Sequence, residues 1–195
     1  MGQFFESAVL TAGKDVQATY LLNCQLKANG KLLVEGRKGV IIGGKTCAKL
    51  GVSCNGIGNI AEIATVVSVG IDKEDMTAYQ ELQKKVEQTQ AELQTCENGL
   101  NKLMANPVHD EKVSMMIQRL TRAVYTLKSS RKELFSERNA QMEQMTKQKE
   151  ARIQVSGRAY PGTLLFLNED PFAIKEIYNN VEFVKHDNRI DTLAH

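Results

Sequence analysis

The chain has 195 residues, 25 % of them charged and 42 % hydrophobic, with a formal net charge of +2, the balance of an ordinary soluble protein large enough to bury its own core. No run approaches the ~18 apolar residues of a spanning helix, so no membrane span is expected. The densest basic pairs, Lys84-Lys85 and Arg131-Lys132, have acidic neighbours and read as solvated helix faces, so nucleic acid is not an expected partner. Tryptophan is absent and aromatic residues are 6 %, which leaves Val, Ile, Leu, Ala and Met to build a thin, repetitive core.

The first segment, residues 1–72, is rich in Gly, Val, Ile and Leu. Its start, Met1 to Glu6, lacks the basic and apolar regions of a signal peptide, and reduced thiols in a cytoplasmic protein are expected. The segment repeats itself. Ser7 to Val16 can be laid over Cys24 to Leu33, with Gly13 on Gly30 and Lys14 on Lys31. A looser third copy puts Gly51 under Gly30, Cys47 under Leu26 and Cys54 under Leu33, with the extra residues around Gly36 to Gly39. Short strands punctuated by Gly point to stacked coils, in which each rung buries its apolar face on the next. A β-sandwich is the other fold such strands allow.

The second segment, residues 73–150, changes period. Tyr79, Leu82, Val86, Thr89, Leu93, Cys96, Leu100 and Leu103 follow one another in steps of three and four, a heptad seam. Asn106-Pro107 breaks the helix, placing a turn near residues 105–110, and a second arm carries Val113, Ile117, Leu120, Val124, Leu127, Arg131, Leu134, Arg138, Gln141 and Met145. Two such arms joined by a short turn form an antiparallel coiled-coil hairpin. Thr89, Cys96, Arg131, Arg138 and Gln141 dilute its seam.

The third segment, residues 151–195, returns to strand-like character. Ile153 to Ser156 and Leu164 to Leu167 flank a turn at Tyr160-Pro161-Gly162, and Val181 to Val184 and Ile190 flank a hairpin turn at His186 to Arg189. It is expected to rejoin the coil stack and cap it. The fold class is therefore mainly β with a large α insertion: a single-stranded β-solenoid interrupted by a long helical hairpin.

No catalytic, cofactor-binding or metal-ligating residue is expected. Cys24, Cys47, Cys54 and Cys96 form no C-x-x-C pair, and His109, His186 and His195 lie far from them in sequence. Gly39 to Thr46 matches the G-x-x-x-x-G-K-[ST] pattern of a phosphate loop, but the residues that follow do not read as the helix such a loop must open. Ile57, Ile63 and Val69 recur at six-residue spacing, as in the coils of hexapeptide-repeat acyltransferases, yet no histidine falls in this segment to act as base.

Four further motifs stand out: Gly36 to Gly44, including Gly43-Gly44; Ser68-Val69-Gly70 just before the hairpin; Val155 to Gly162, ending in Tyr160-Pro161-Gly162; and Ile177 to Phe183. Together they resemble the flagellar assembly protein A family of bacteria. Members of that family are usually longer, with more rungs and an N-terminal domain, so the chain is expected to correspond to their C-terminal part or to be a shortened relative. The Asp187-Asn188 turn lacks the Gly the family often shows. The resemblance implies a solenoid with a coiled-coil insertion and no catalytic residue. A non-catalytic scaffold or adaptor in flagellar or cell-surface assembly is the function it implies. The hairpin, with Leu82, Val86, Leu93, Leu100, Leu120, Val124, Leu127 and Leu134 in its seam, or a solenoid face would then contact a protein partner or a second copy. A self-assembling β-helical element of the cytoskeleton is the alternative.

Overall fold

The computed structural model describes residues 4–36, 38–105, 110–187 and 189–194. It comprises two compact units: a β unit of Met1–Lys73 with Gln144–His195, and a helical unit of Glu74–Glu143.

In the β unit the strands stack into three parallel faces. The first is built from β1 (Phe4–Glu6), the start of β4 (Tyr20–Ala28), the start of β6 (Val40–Ala48), and the ends of β7 (Val52–Ile57) and β9 (Ile153–Ala159). The second runs from β2 (Val9–Ala12) through the later halves of β4 and β6 to β8 (Thr65–Val69) and β10 (Thr163–Leu167). The third stacks β3 (Val16–Ala18), β5 (Leu32–Val34) and the starts of β7 and β9. The chain winds through all three faces in order, which makes the unit a β-solenoid.

Alternation along each strand sends every second side chain inward. The inward positions form ladders: Phe5, Leu21, Ile41, Ile57 and Ala159 on the first face; Leu10, Leu26, Thr46, Val67 and Leu165 on the second; Val16, Leu32, Val52 and Ile153 on the third. A further ladder on the second face begins with Ala12, Ala28 and Ala48, small residues that leave room for the larger ones across a narrow interior.

The register differs from the sequence expectation by one residue. Leu32 lies beside Val16, Leu26 beside Leu10, and Ala28 beside Ala12, whereas aligning Gly13 with Gly30 would have paired Val9 with Leu26. The third copy slips likewise: Cys47 lies beside Lys27 and Cys54 beside Val34. A one-residue slip exchanges the inner and outer sets completely. The glycines misled because they serve different needs. A side chain at Gly13 would meet open space, while one at Gly30 would collide with Asp15, whose Oδ1 accepts a hydrogen bond from the Lys31 amide at 2.7 Å. The extra residues of the third copy do fall in the segment between β5 and β6 that contains Gly36 and Gly39.

The far end of the stack closes with antiparallel strands. β11 (Asp170–Ala173) folds back on β10, and β12 (Tyr178–His186) runs antiparallel to β9 with β13 (Arg189–Ala194) outside it. Phe183, fully buried, stands opposite Ile153 and packs with Phe172 and Tyr178 at centroid distances of 5.5 and 5.7 Å. Tyr160-Pro161-Gly162 is a corner between the first and second faces, since β9 and β10 pair with other strands and not with each other.

α1 (Lys73–Met104) and α2 (Glu111–Lys149), which supply the helical unit with all but their root residues, pack together as a hairpin. Leu82, Val86, Leu93 and Val124 are buried, and Leu100, Leu120, Leu127 and Leu134 are half-buried. Contacts across the pair run in opposite order: Gln90 Oε1 accepts a hydrogen bond from Arg131 at 2.9 Å, Glu97 meets Lys128 at 2.8 Å, and the space beside Gly99 is taken by Leu120. Asp110 Oδ1 caps α2 by accepting from the Val113 amide at 2.8 Å. The expected helix break at Asn106-Pro107 lies outside the described residues.

Leu93 is the most buried residue of the hairpin seam, at 1 % exposure. Leu93→Ala is expected to lower the stability of the helical unit by roughly 2 kcal/mol, the low end for a leucine deletion because the diluted seam can close partly over the gap. Thermal melting followed at 222 nm, where helix dominates the signal, checks this.

Candidate functional site

Of the features singled out by sequence, Gly43-Gly44, Gly70 and Tyr160-Pro161-Gly162 fall on corners of the solenoid, while the seam leucines and valines lie in the helical hairpin. β4 bends between the first and second faces at Asn23, in the left-handed region at φ 51°, and β6 makes the same bend at Gly43 and Gly44, at φ 70° and 72°. The next corner carries Gly58, at φ 73°. The last is Tyr160-Pro161-Gly162, where the Tyr160 amide donates to Ile57 O at 2.9 Å and Gly162 O accepts from the Thr65 amide at 3.2 Å. A side chain on Gly162 would stand 2.6 Å from Glu62 O, so this corner is fitted to the one before it.

The second-to-third corner is where the helical insertion leaves and returns. Gly70, at φ 89°, precedes the exit, and a side chain there would collide with the amide of Asn168. Asn168 Oδ1 accepts from the Ile71 amide at 2.9 Å and Asn168 Nδ2 donates to Lys149 O at 3.1 Å. One side chain thus ties the last residues before α1 to the last residue of α2. Sequence reasoning passed over Asn168, because an asparagine in a turn is ordinary; the only signal was its pairing with Gly70, which needs the fold to be seen. Nearby, Asp72 is approached by Lys27 and Lys49 at 3.9 and 4.0 Å.

The chemical motifs do not assemble. Gly39 lies just before β6 and Val40 to Thr46 run along it; Lys45 is exposed and Thr46 is fully buried, its hydroxyl unpartnered among the described residues, so the segment is a strand of the core and opens no helix. Ile57 and Val69 are buried in different faces while Ile63 lies in the intervening loop, so the six-residue spacing is not a coil repeat. Among the described residues no group of three or more His, Cys, Asp and Glu could hold a metal ion. His186 meets Asp191 at 3.1 Å at the exposed tip of the β12–β13 hairpin; His109 and His195 lie outside the described residues.

The cysteines are free thiols. Burial pushes the Cys54 thiol from its ordinary value of 9.0 up to about 12, and burial, then Asp72, raises that of Cys47. A thiol that stays protonated is a poor nucleophile. The linkage has a definite sign. The unfolded thiol ionises near 9 and the folded one near 12, so the stability carried by neutral, buried Cys54 is full below pH 9 and declines as pH rises from there toward 12. Cys54→Ala is expected to flatten that alkaline decline by up to about 1.4 kcal/mol per pH unit relative to the parent. Urea unfolding at pH 8, 9.5 and 10.5 measures it.

Corners built on left-handed Gly and Asn, in-register apolar ladders and a helical hairpin inserted at one corner define a β-solenoid protein with a coiled-coil insertion. Residues 1–190 match the family model described as the Flagellar Assembly Protein A beta solenoid domain, and the chain belongs to that family. No curated protein and no solved structure matches it. Among the described residues no helix is long and apolar enough to cross a membrane.

Proposed function

We propose that the protein is a non-catalytic adaptor in flagellar assembly, acting in the cytoplasm, in which the solenoid is the rigid support and the helical hairpin is the arm that engages a protein partner. Family membership supports the flagellar role. The single observation that carries the adaptor reading is the insertion itself: two helices of 32 and 39 residues, tied at their roots by Asn168, with a core of their own. Replacing residues 75–143 with a short Gly-Ser linker is expected to leave the β unit folded by circular dichroism and to abolish filament formation in cells that lack the native gene. Normal filaments from that variant would remove the hairpin from the working parts.

A second reading, self-assembly, has one observation in its favour. Among the described residues β1, β2 and β3 each pair on one side only, with Phe4 59 % and Val9 77 % exposed, and such a strand row pairs as readily with a second copy as with a further rung. Sedimentation velocity across a concentration series separates the readings: mass that grows with concentration favours self-assembly, and a constant monomer mass removes it.

A further inference from the structure

Between Glu111 and Glu133 the chain carries six cations, Lys112, Arg119, Arg122, Lys128, Arg131 and Lys132, and no carboxylate. Reading the sequence for dense basic pairs misses this run, since its cations are spread at helical spacing. Lys128 and Arg131 are engaged inside the hairpin, with Glu97 and Gln90. Lys112, Arg119, Arg122 and Lys132 are exposed and have no ion-pair partner among the described residues.

The run has a face. Met115, Arg119, Arg122 and Tyr125 follow in steps of four, three and three, on the side of α2 away from the seam residues Val113, Ile117, Leu120 and Val124. Met115 is 51 % and Tyr125 79 % exposed. Arg119 and Arg122 are neighbours on that face and repel each other, a cost to the isolated helix that a negative partner would reverse. The outer face of α1 shows the contrast within the same unit: Glu81, Lys84, Lys85, Gln88 and Glu92 mix signs and expose no aromatic ring.

We propose that this face of α2, centred on Arg119, Arg122 and Tyr125, docks an acidic segment of a partner protein. Its charge is complementary to a negative ligand. Its Arg, Tyr and Met are the residue types enriched where proteins meet, whereas a solvated face carries Lys and Glu. A membrane surface fits less well, because the apolar face of α2 that would enter lipid is committed to the seam. The proposal rests on the hairpin being the partner-binding arm and names the surface and partner chemistry for it.

The full-length protein is titrated against a fluorescein-labelled helical peptide of Glu and Leu at four-residue spacing, with its Gln-for-Glu analogue, a single-stranded oligonucleotide and phosphatidylserine vesicles as competitors. The acidic peptide is expected to bind at least about tenfold more tightly than the Gln analogue. R119E/R122E is expected to lose that binding about tenfold or more, and Tyr125→Ala severalfold at unchanged salt, both variants keeping wild-type helix content. Equal binding by R119E/R122E, no binding of the peptide, or tighter binding of the oligonucleotide or vesicles each overturns the proposal. Absent peptide binding alongside lost filaments on hairpin deletion would discard this face and leave the adaptor reading standing.

Discussion

Gly44→Val is expected to destabilise the β unit by roughly 3–5 kcal/mol, enough to unfold a domain of ordinary stability. Gly44 sits at φ 72°, where a β-branched residue is strained. Its new Cβ would collide with the Cys24 carbonyl oxygen and lie 2.8 Å from the Cys24 nitrogen. Those are backbone atoms of the neighbouring rung, in register with Gly44, so they cannot turn aside as a side chain would. Relief requires the two rungs to separate, which breaks the Leu26–Thr46 and Ala28–Ala48 steps that follow on the same strands. The control is Gly99→Ala. Its Cβ would meet nothing closer than Leu120 at 3.7 Å in an ordinary helix, and it is expected to stabilise the hairpin by about 0.5–1 kcal/mol. Equilibrium urea unfolding of both variants tests the pair: opposite signs are required.

Phe183→Ala is expected to cost about 3–5 kcal/mol and to make the protein prone to aggregation. Phe183 fills the end of the third-face ladder, opposite Ile153, in a chain with few aromatic rings of which three gather at this point. Removing the ring opens a cavity under β12, the strand that covers the edge of β9. Loosening β12 would bare the row of ladder groups on β9 that it covers, the kind of surface on which sheets grow. Loss of near-ultraviolet dichroism from Tyr178, together with concentration-dependent light scattering on mild heating, is the expected pair of signals. A drop in stability without scattering would show that β12 stays in place despite the cavity.

The two periods of the sequence carried most of the architecture. Steps of three and four from Tyr79 to Leu103 and from Val113 to Met145 all fall on buried or half-buried positions, because a helix seam repeats without needing a partner's register to be known. The solenoid was legible as a repeat but not in its register. Ladders such as Leu10, Leu26, Thr46 and Val67 mix sizes and one hydroxyl, so apolar matches score nearly as well one residue off, and shared glycines then decide the alignment. Gly30 is fixed by Asp15 above it and Gly13 by nothing, a difference that exists only in three dimensions. Asn168 was invisible for the same reason, its two partners lying on segments that sequence separates by the whole insertion.

The insertion also bears on how the chain folds. Val52 pairs directly with Ile153, and the segment between them would make a slow, entropically costly loop to close if it were flexible. Most of it is instead a local helical hairpin, α1 and α2, whose contacts can form before any solenoid rung is complete. Once α1 and α2 zip together, the residues at their roots are brought side by side, and β9 follows β8 as if across a short turn, one rung on from β7. Hairpin stability thereby enters the rate of solenoid closure. A weakened seam such as Leu93→Ala should slow refolding of the β unit even though Leu93 belongs to the other core, and chain length between the roots can vary widely with little effect on that rate as long as the helices still pair.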